Sequence, residues 1–86
     1  MIVKHKDHFQ ILADTNTSDY HRLERHKTKW VYHYNNDEGN NLIKIFTNDS
    51  IESFIYELYE SYKQFCKDND FNYEYDLNNE IKKLNI

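Results

Sequence analysis

The stretch from Asp49 to Lys67 constrains the chain most. Ile51, Phe54, Ile55, Leu58, Tyr62 and Phe65 recur at steps of three and four, which lines them along one side of an α-helix of about five turns. A helix with one apolar side has to bury it against another element, so this segment forms half of a core. Asp49, with Glu52 three residues on, predicts a capping box at the helix start, and Ser50 is an alternative cap if the start slips by one residue. Glu52, Glu57 and Glu60 fall away from the apolar stripe, and Asp68 and Asp70 follow in the turn beyond. The exposed side is therefore negative.

The other half of the core has to come from strands. Phe9, Ile11 and Ala13 alternate with Gln10 and Leu12, a strand pattern that ends in the turn-forming run Asp14 to Asp19. Ile2 and Val3 suggest a short edge strand, but Lys4, His5 and Lys6 follow at once. Tyr20 to Lys29 holds a single aliphatic residue, Leu23, among six basic or histidine side chains and Glu24; it reads as a solvated connection or as the beginning of a strand. Trp30, Tyr32 and Tyr34 alternate with Val31 and His33, and Leu42 to Thr47 forms a partner strand. The turn between them contains Gly39, the chain's only glycine, among Asn and Asp residues that tolerate positive φ. After Asp68-Asn69-Asp70, a strand through Phe71, Tyr73 and Tyr75 competes with a helix. Leu77, Ile81 and Leu84 at helical spacing behind a cap at Asp76 favour a short helix, with Lys82 and Lys83 suiting its dipole. The expected architecture is α+β: a three-stranded antiparallel sheet packed on one long amphipathic helix, plus a short C-terminal helix, in one domain over residues 1–86.

At 86 residues, a domain buries roughly 60 to 65% of its unfolded surface, so each large side chain matters to its stability. Thirteen Tyr and Phe and one Trp supply large buried areas with a polar handle at the edge, which suits a thin sheet-and-helix structure. Cys66 is the only cysteine and is expected as half-buried packing without a disulfide. With no signal peptide or long apolar run, the sequence predicts a soluble protein of the cytoplasm that does not engage membranes.

Charge is divided unevenly along the chain. Residues 1–44 carry seven Lys or Arg against six Asp or Glu, with all five His, while residues 45–86 carry four against nine. An acidic helix surface keeps a small protein soluble, and it also presents carboxylates that a basic groove on another protein could accept. Nucleophilic catalysis finds no base beside Cys66 in sequence. His5 and His8, or His21 and His26, could ligate a metal with Asp7 or Glu24, but their spacings match no established zinc pattern. There is no glycine-rich phosphate loop. The expectation is a non-enzymatic binding protein without cofactor or metal. A second binding mode would use the basic aromatic segment 20–34, its cations on phosphates and its Trp30, Tyr32 and Tyr34 stacking on bases.

Tyr34 to Asn41, Tyr-Asn-Asn-Asp-Glu-Gly-Asn-Asn, followed by a strand and then Asn48-Asp49-Ser50-Ile51, resembles the hairpin and helix start of a small acidic type II-A anti-CRISPR protein. Lys6-Asp7, the strand with Ile11 and Leu12, and its end in Asp14 to Ser18 are similar too, so the likeness covers most of residues 6–76. The chain departs from that family in having no room for its N-terminal helix, in the extra Glu38, in the longer basic connection over 20–29, and in fewer consecutive acids after the long helix. The resemblance implies an inhibitor that mimics DNA and blocks the site where a type II CRISPR effector nuclease, loaded with guide RNA, reads the PAM with arginines. It implies partner contacts at Asn36, Asp37, Gly39 and Asn40 of the hairpin and at Asp68, Asn69, Asp70, Glu74 and Asp76. Direct DNA binding is not expected.

Overall fold

A computed structural model describes residues 1–11 and 20–86 of the chain. The expected turn over Asp14 to Asp19, and the expected extension of the first strand through Leu12 and Ala13, lie outside the described residues. Among the described residues there are five strands and two helices: β1 Ile2–Lys4, β2 Phe9–Ile11, β3 Tyr20–His26, β4 Lys29–Asn35, β5 Asn41–Thr47, α1 Asn48–Asp68 and α2 Leu77–Lys83. The strands form one antiparallel sheet in the order of the chain.

The sheet therefore has five strands where the sequence predicts three. β1 forms because Ile2 pairs with Ile11 and Lys4 with Phe9, three residues being enough when the neighbour's edge is open. β3 forms although its inward positions are His21, Leu23 and Arg25, of which only one is apolar. The two polar side chains are satisfied where they lie. His21 Nδ1 is 2.6 Å from the Tyr32 hydroxyl. The Arg25 guanidinium sits 4.4 Å above the Trp30 ring and donates to the Leu84 carbonyl at 2.8 Å. Partners from distant segments make a strand of a sequence that looks solvated.

One face of the sheet is covered. Phe9, Ile11, Leu23, Trp30 and Tyr32 point into the same core as Ile51, Ile55 and Tyr59 of α1 and Leu84 after α2. The buried stripe of α1 is Ile51, Ile55, Tyr59 and Cys66, with Phe54, Leu58 and Tyr62 along its sides. Phe65, expected in the core, is 41% exposed, whereas Cys66, expected half-buried, is fully enclosed. The helix also begins earlier than the Asp49 cap predicts. Thr47, in extended conformation, is the N-cap, and its backbone N–H donates to Ser50 Oγ at 3.0 Å, so the Ser that closes the box is at the third helical position.

The two ends of the chain meet beneath the sheet. Glu80, on the inward side of α2, is a buried carboxylate that accepts from the backbone N–H of Ile2 at 2.6 Å, the Tyr59 hydroxyl at 3.1 Å and Lys83 Nζ at 2.9 Å. Burial raises its pKa, but the Lys83, Ile2 and Tyr59 hydrogen bonds and the nearby amino terminus outweigh that and hold it below the ordinary glutamate range. The same carboxylate adds to burial in pushing the Tyr59 phenol far up.

Candidate partner-binding surface

The expected contact residues divide by what their side chains already do. In the β4–β5 loop, Asn36 is an organiser: its Oδ1 accepts from the backbone N–H groups of Glu38 at 3.1 Å and Asn40 at 2.9 Å. Gly39 has φ +81° with open space where a Cβ would stand, so its backbone conformation, not crowding, calls for glycine. That internal bonding holds the exposed Asp37, Glu38 and Asn40 at the tip.

At the far end of α1 the chain turns through a Schellman motif. Asn69 is the C-cap, Asp70 takes the left-handed conformation at φ +56°, and the Phe71 N–H reaches the Cys66 carbonyl at 2.8 Å. Asn69 is tied to the helix by its side chain, Nδ2 donating to the Phe65 carbonyl at 2.9 Å. The rings of Phe65 and Phe71 clasp the turn, 5.9 Å between centroids. Asp68 accepts one bond from Gln64 at 2.8 Å. Asp76 is engaged as the N-cap of α2, accepting from the Asn78 N–H and from Asn79 Nδ2, each at 3.1 Å. Asn36, Asn69 and Asp76 are therefore architectural, while Asp37, Asn40, Asp68, Asp70 and Glu74 present their groups to solvent.

Two further carboxylates belong with these. Glu57 and Glu60 are exposed, and at 100° per residue they lie opposite the buried stripe, on the same outward side as Asp68. Glu57 to Asp68 spans about 16 Å of helix axis. Among the described residues, the acids with ion-pair partners are Asp7, Glu24 and Glu80. Glu57, Glu60, Asp68, Asp70 and Glu74 have none. Their negative field is felt locally: after burial, the Glu60 carboxylate is the next cause that raises the Tyr73 phenol pKa. Asp68 and Asp70 also stand at the negative end of the α1 dipole, where a cation would be the stabilising choice.

The segment 20–34 is arranged differently from a stacking platform. Trp30 is fully buried, its Nε1 donating to Asn48 Oδ1 at 2.7 Å, and Tyr32 is 4% exposed. Neither ring can receive a base. Arg22 lies on the uncovered face of the sheet, its Nε 2.8 Å from Glu24 Oε1 without the alignment of a hydrogen bond. His26 Nε2 is 3.0 Å from Glu24 Oε2, and this contact, with Arg22 and His33 nearby, overcomes partial burial to lower the Glu24 pKa. Among the described residues no group of three or more His, Cys, Asp or Glu is arranged to hold a metal ion, and no helix is long and apolar enough to cross a membrane.

No protein-family model matches the chain, and neither a curated protein nor a solved structure does.

Proposed function

We propose that the protein is a non-enzymatic inhibitor that presents carboxylates in place of nucleic-acid phosphates and occupies the DNA-binding groove of another protein. The observation that carries this reading is the unneutralised row Glu57, Glu60, Asp68, Asp70 and Glu74 on a rigid helix and its capped turn. Carboxylates left without cations inside their own molecule are available to arginines of a partner, which they can engage through paired charge-assisted hydrogen bonds. Over about 16 Å of α1 three carboxylates stand against roughly five phosphates on the same length of one DNA strand. Among the described residues, Lys63 and Lys67 lie in the same span without an ion pair to them, so the likeness rests on individually accessible carboxylates and not on net charge. The β4–β5 loop adds Asp37 and Glu38, and α1, which begins beside Trp30 and passes Tyr32 at Phe54, runs away from the β3–β4 turn.

The leading target is a type II CRISPR effector nuclease with its guide RNA, in keeping with the anti-CRISPR resemblance of the hairpin and helix start. The test is a purified nuclease–guide complex with PAM-containing duplex DNA and excess protein. DNA binding and cleavage should both be blocked, and the combined Asp68→Lys, Asp70→Lys and Glu74→Lys variant should restore them while its circular dichroism stays unchanged. Undiminished cleavage with the unaltered protein present would remove this target.

A further inference from the structure

The turns and helix ends fall at two opposite ends of the sheet, and they sort charge by sign. At one end lie the β1–β2 and β3–β4 turns, the start of α1 and the end of α2; at the other lie the β4–β5 loop, the end of α1 and the approach to α2. The first end gathers Lys4, Lys6, Arg25, Lys27, Lys29 and Lys82. The second gathers the acidic groups just described. Along the sequence these cations are scattered over three segments, which is why a division of the chain into halves understates the polarity. The long dimension of the molecule is 40 Å.

The cationic end has relief as well as charge. Two open hollows meet at Arg25: one of about 320 Å³ bordered by Lys4, His5, Lys6 and His8, and one of about 300 Å³ bordered by Lys27, Asn48 and Asn85. Among the described residues, Lys4, Lys6, Lys27, Lys29 and Lys82 have no ion-pair partner. Of the acids nearby, Asp7 and Glu24 are already engaged by His8, Arg22 and His26. Asp49 and Glu52, on the first turns of α1, are the ones without a cation. Among the described residues, the aromatics bordering these hollows are His5, His8 and the buried Phe9.

We propose that this end is a docking surface for the phosphate backbone of RNA, contacted by Lys4, Lys6 and Lys27 around Arg25 without reading base sequence. Unpaired ammonium groups around a concave surface suit a polyanion, and with Phe9 buried and the His5 and His8 rings stacked on each other at 4.6 Å, the backbone is the main feature recognised. The choice of RNA rests on the inhibitor reading: with the acidic end in the groove that target DNA would fill, the phosphates left within reach of the opposite end are those of the guide. The protein then bridges the two components of a ribonucleoprotein, carboxylates on the protein part and lysines on the RNA part.

The experiment uses the full chain with no nuclease present, so its outcome is independent of the inhibition test. Fluorescence anisotropy is followed with a labelled guide-type hairpin RNA and with duplex DNA of equal length. With about four phosphates neutralised, RNA affinity should fall roughly 50- to 150-fold between about 50 and 200 mM salt, the larger value applying to a fully paired stem. The Lys4→Glu, Lys6→Glu and Lys27→Glu triple variant, checked for an unchanged melting temperature, should bind RNA at least about tenfold more weakly. The Asp68→Lys, Asp70→Lys and Glu74→Lys protein should bind RNA no more weakly than the unaltered chain. No RNA binding at low salt, binding unaffected by the lysine reversals, or duplex DNA bound as tightly as RNA would each overturn the proposal.

Discussion

Glu80 offers the sharpest test of how this small structure is held together. Its carboxylate joins the first strand, the long helix and the last helix through Ile2 N–H, Tyr59 OH and Lys83 Nζ. Glu80→Ala leaves the Ile2 donor and the Tyr59 hydroxyl buried without that acceptor. Hydrogen bonds to a charged group are worth about 1.5–3 kcal/mol each. Two such losses are partly offset because the desolvated charge itself is gone, giving a net destabilisation of about 3 kcal/mol. The Lys83 pair adds little, since that ammonium is 41% exposed. For a domain of this length, each kcal/mol moves the melting temperature by about 4–8 °C, so the variant should melt about 12–24 °C lower. Differential scanning calorimetry of both proteins at neutral pH measures this, with Glu74→Ala, an exposed residue without ion pairs, as the control expected within about 0.5 kcal/mol of the parent. The pH dependence supplies a second reading. Because the Glu80 pKa is lowered on folding, its contribution is full above the ordinary glutamate pKa and is lost as pH falls through the lower folded value. The parent should therefore lose stability on acidification below that ordinary range more steeply than Glu80→Ala. A drop of less than about 3 °C, or parallel acid profiles, would refute the view that this carboxylate clasps the two ends of the chain.

Two further outcomes follow from other details. Asp70 is left-handed at φ +56° and sits at the negative end of α1. Asp70→Gly should relieve both penalties and raise the melting temperature by about 4–8 °C, corresponding to about 1 kcal/mol, while weakening inhibition of the nuclease; a lower melting temperature would contradict the assignment. Burial brings the Met1 amino group from its ordinary value of 8.0 down to about 6, against the pull of the Glu80 carboxylate. The unfolded chain then binds that proton more readily between these values. Stability should fall as pH is lowered through the window, and the fall should be smaller in an N-acetylated chain measured by thermal melting.

The long helix and the hairpin were legible because their signals are local: apolar residues three and four apart, and alternation on both sides of a loop with one glycine. Asp76 was recognisable as a cap for the same reason, and α2 follows it as expected. Of the two missed strands, β1 pairs with its neighbour β2 but has Glu80, far along the chain, as acceptor for the Ile2 N–H, and β3 depends on distant partners for its polar side chains. Arg25 lies on the covered face of the sheet yet stays exposed at its margin, where the carbonyls of Leu84 and Asn85, some sixty residues on, accept its protons. Within α1, Phe65 and Cys66 fit the spacing almost equally; the Schellman turn draws Phe65 outward to meet Phe71, and the small thiol takes the inner position. Glu80 shares a helix face with Leu77 and Leu84, but the apolar spacing read from the sequence ran through Ile81 instead, and nothing nearby in sequence announced the acceptor role. Of the candidate site, the acids flanking the end of α1 could be read directly, whereas the backbone duties of Asn36 and Asn69 required the loop geometry. Of the cationic end, Arg25, Lys27 and Lys29 were legible as part of a basic segment, but their meeting with Lys4, Lys6 and Lys82 was not, because three separated segments assemble it.

The outer rim of the sheet carries a hazard and its remedy together. β5 has a neighbour on one side only, and Ile43 and Ile45 stand 63% and 65% exposed on the uncovered face. Such a rim is a template on which another chain can add itself. Lys44 lies at the midpoint of that strand. In the symmetric antiparallel match that would set Ile43 against Ile45 of a second molecule, the two Lys44 ammonium groups come face to face. The arrangement that best shelters the isoleucines is thereby the one that repels, and polymerisation is discouraged by a single well-placed side chain.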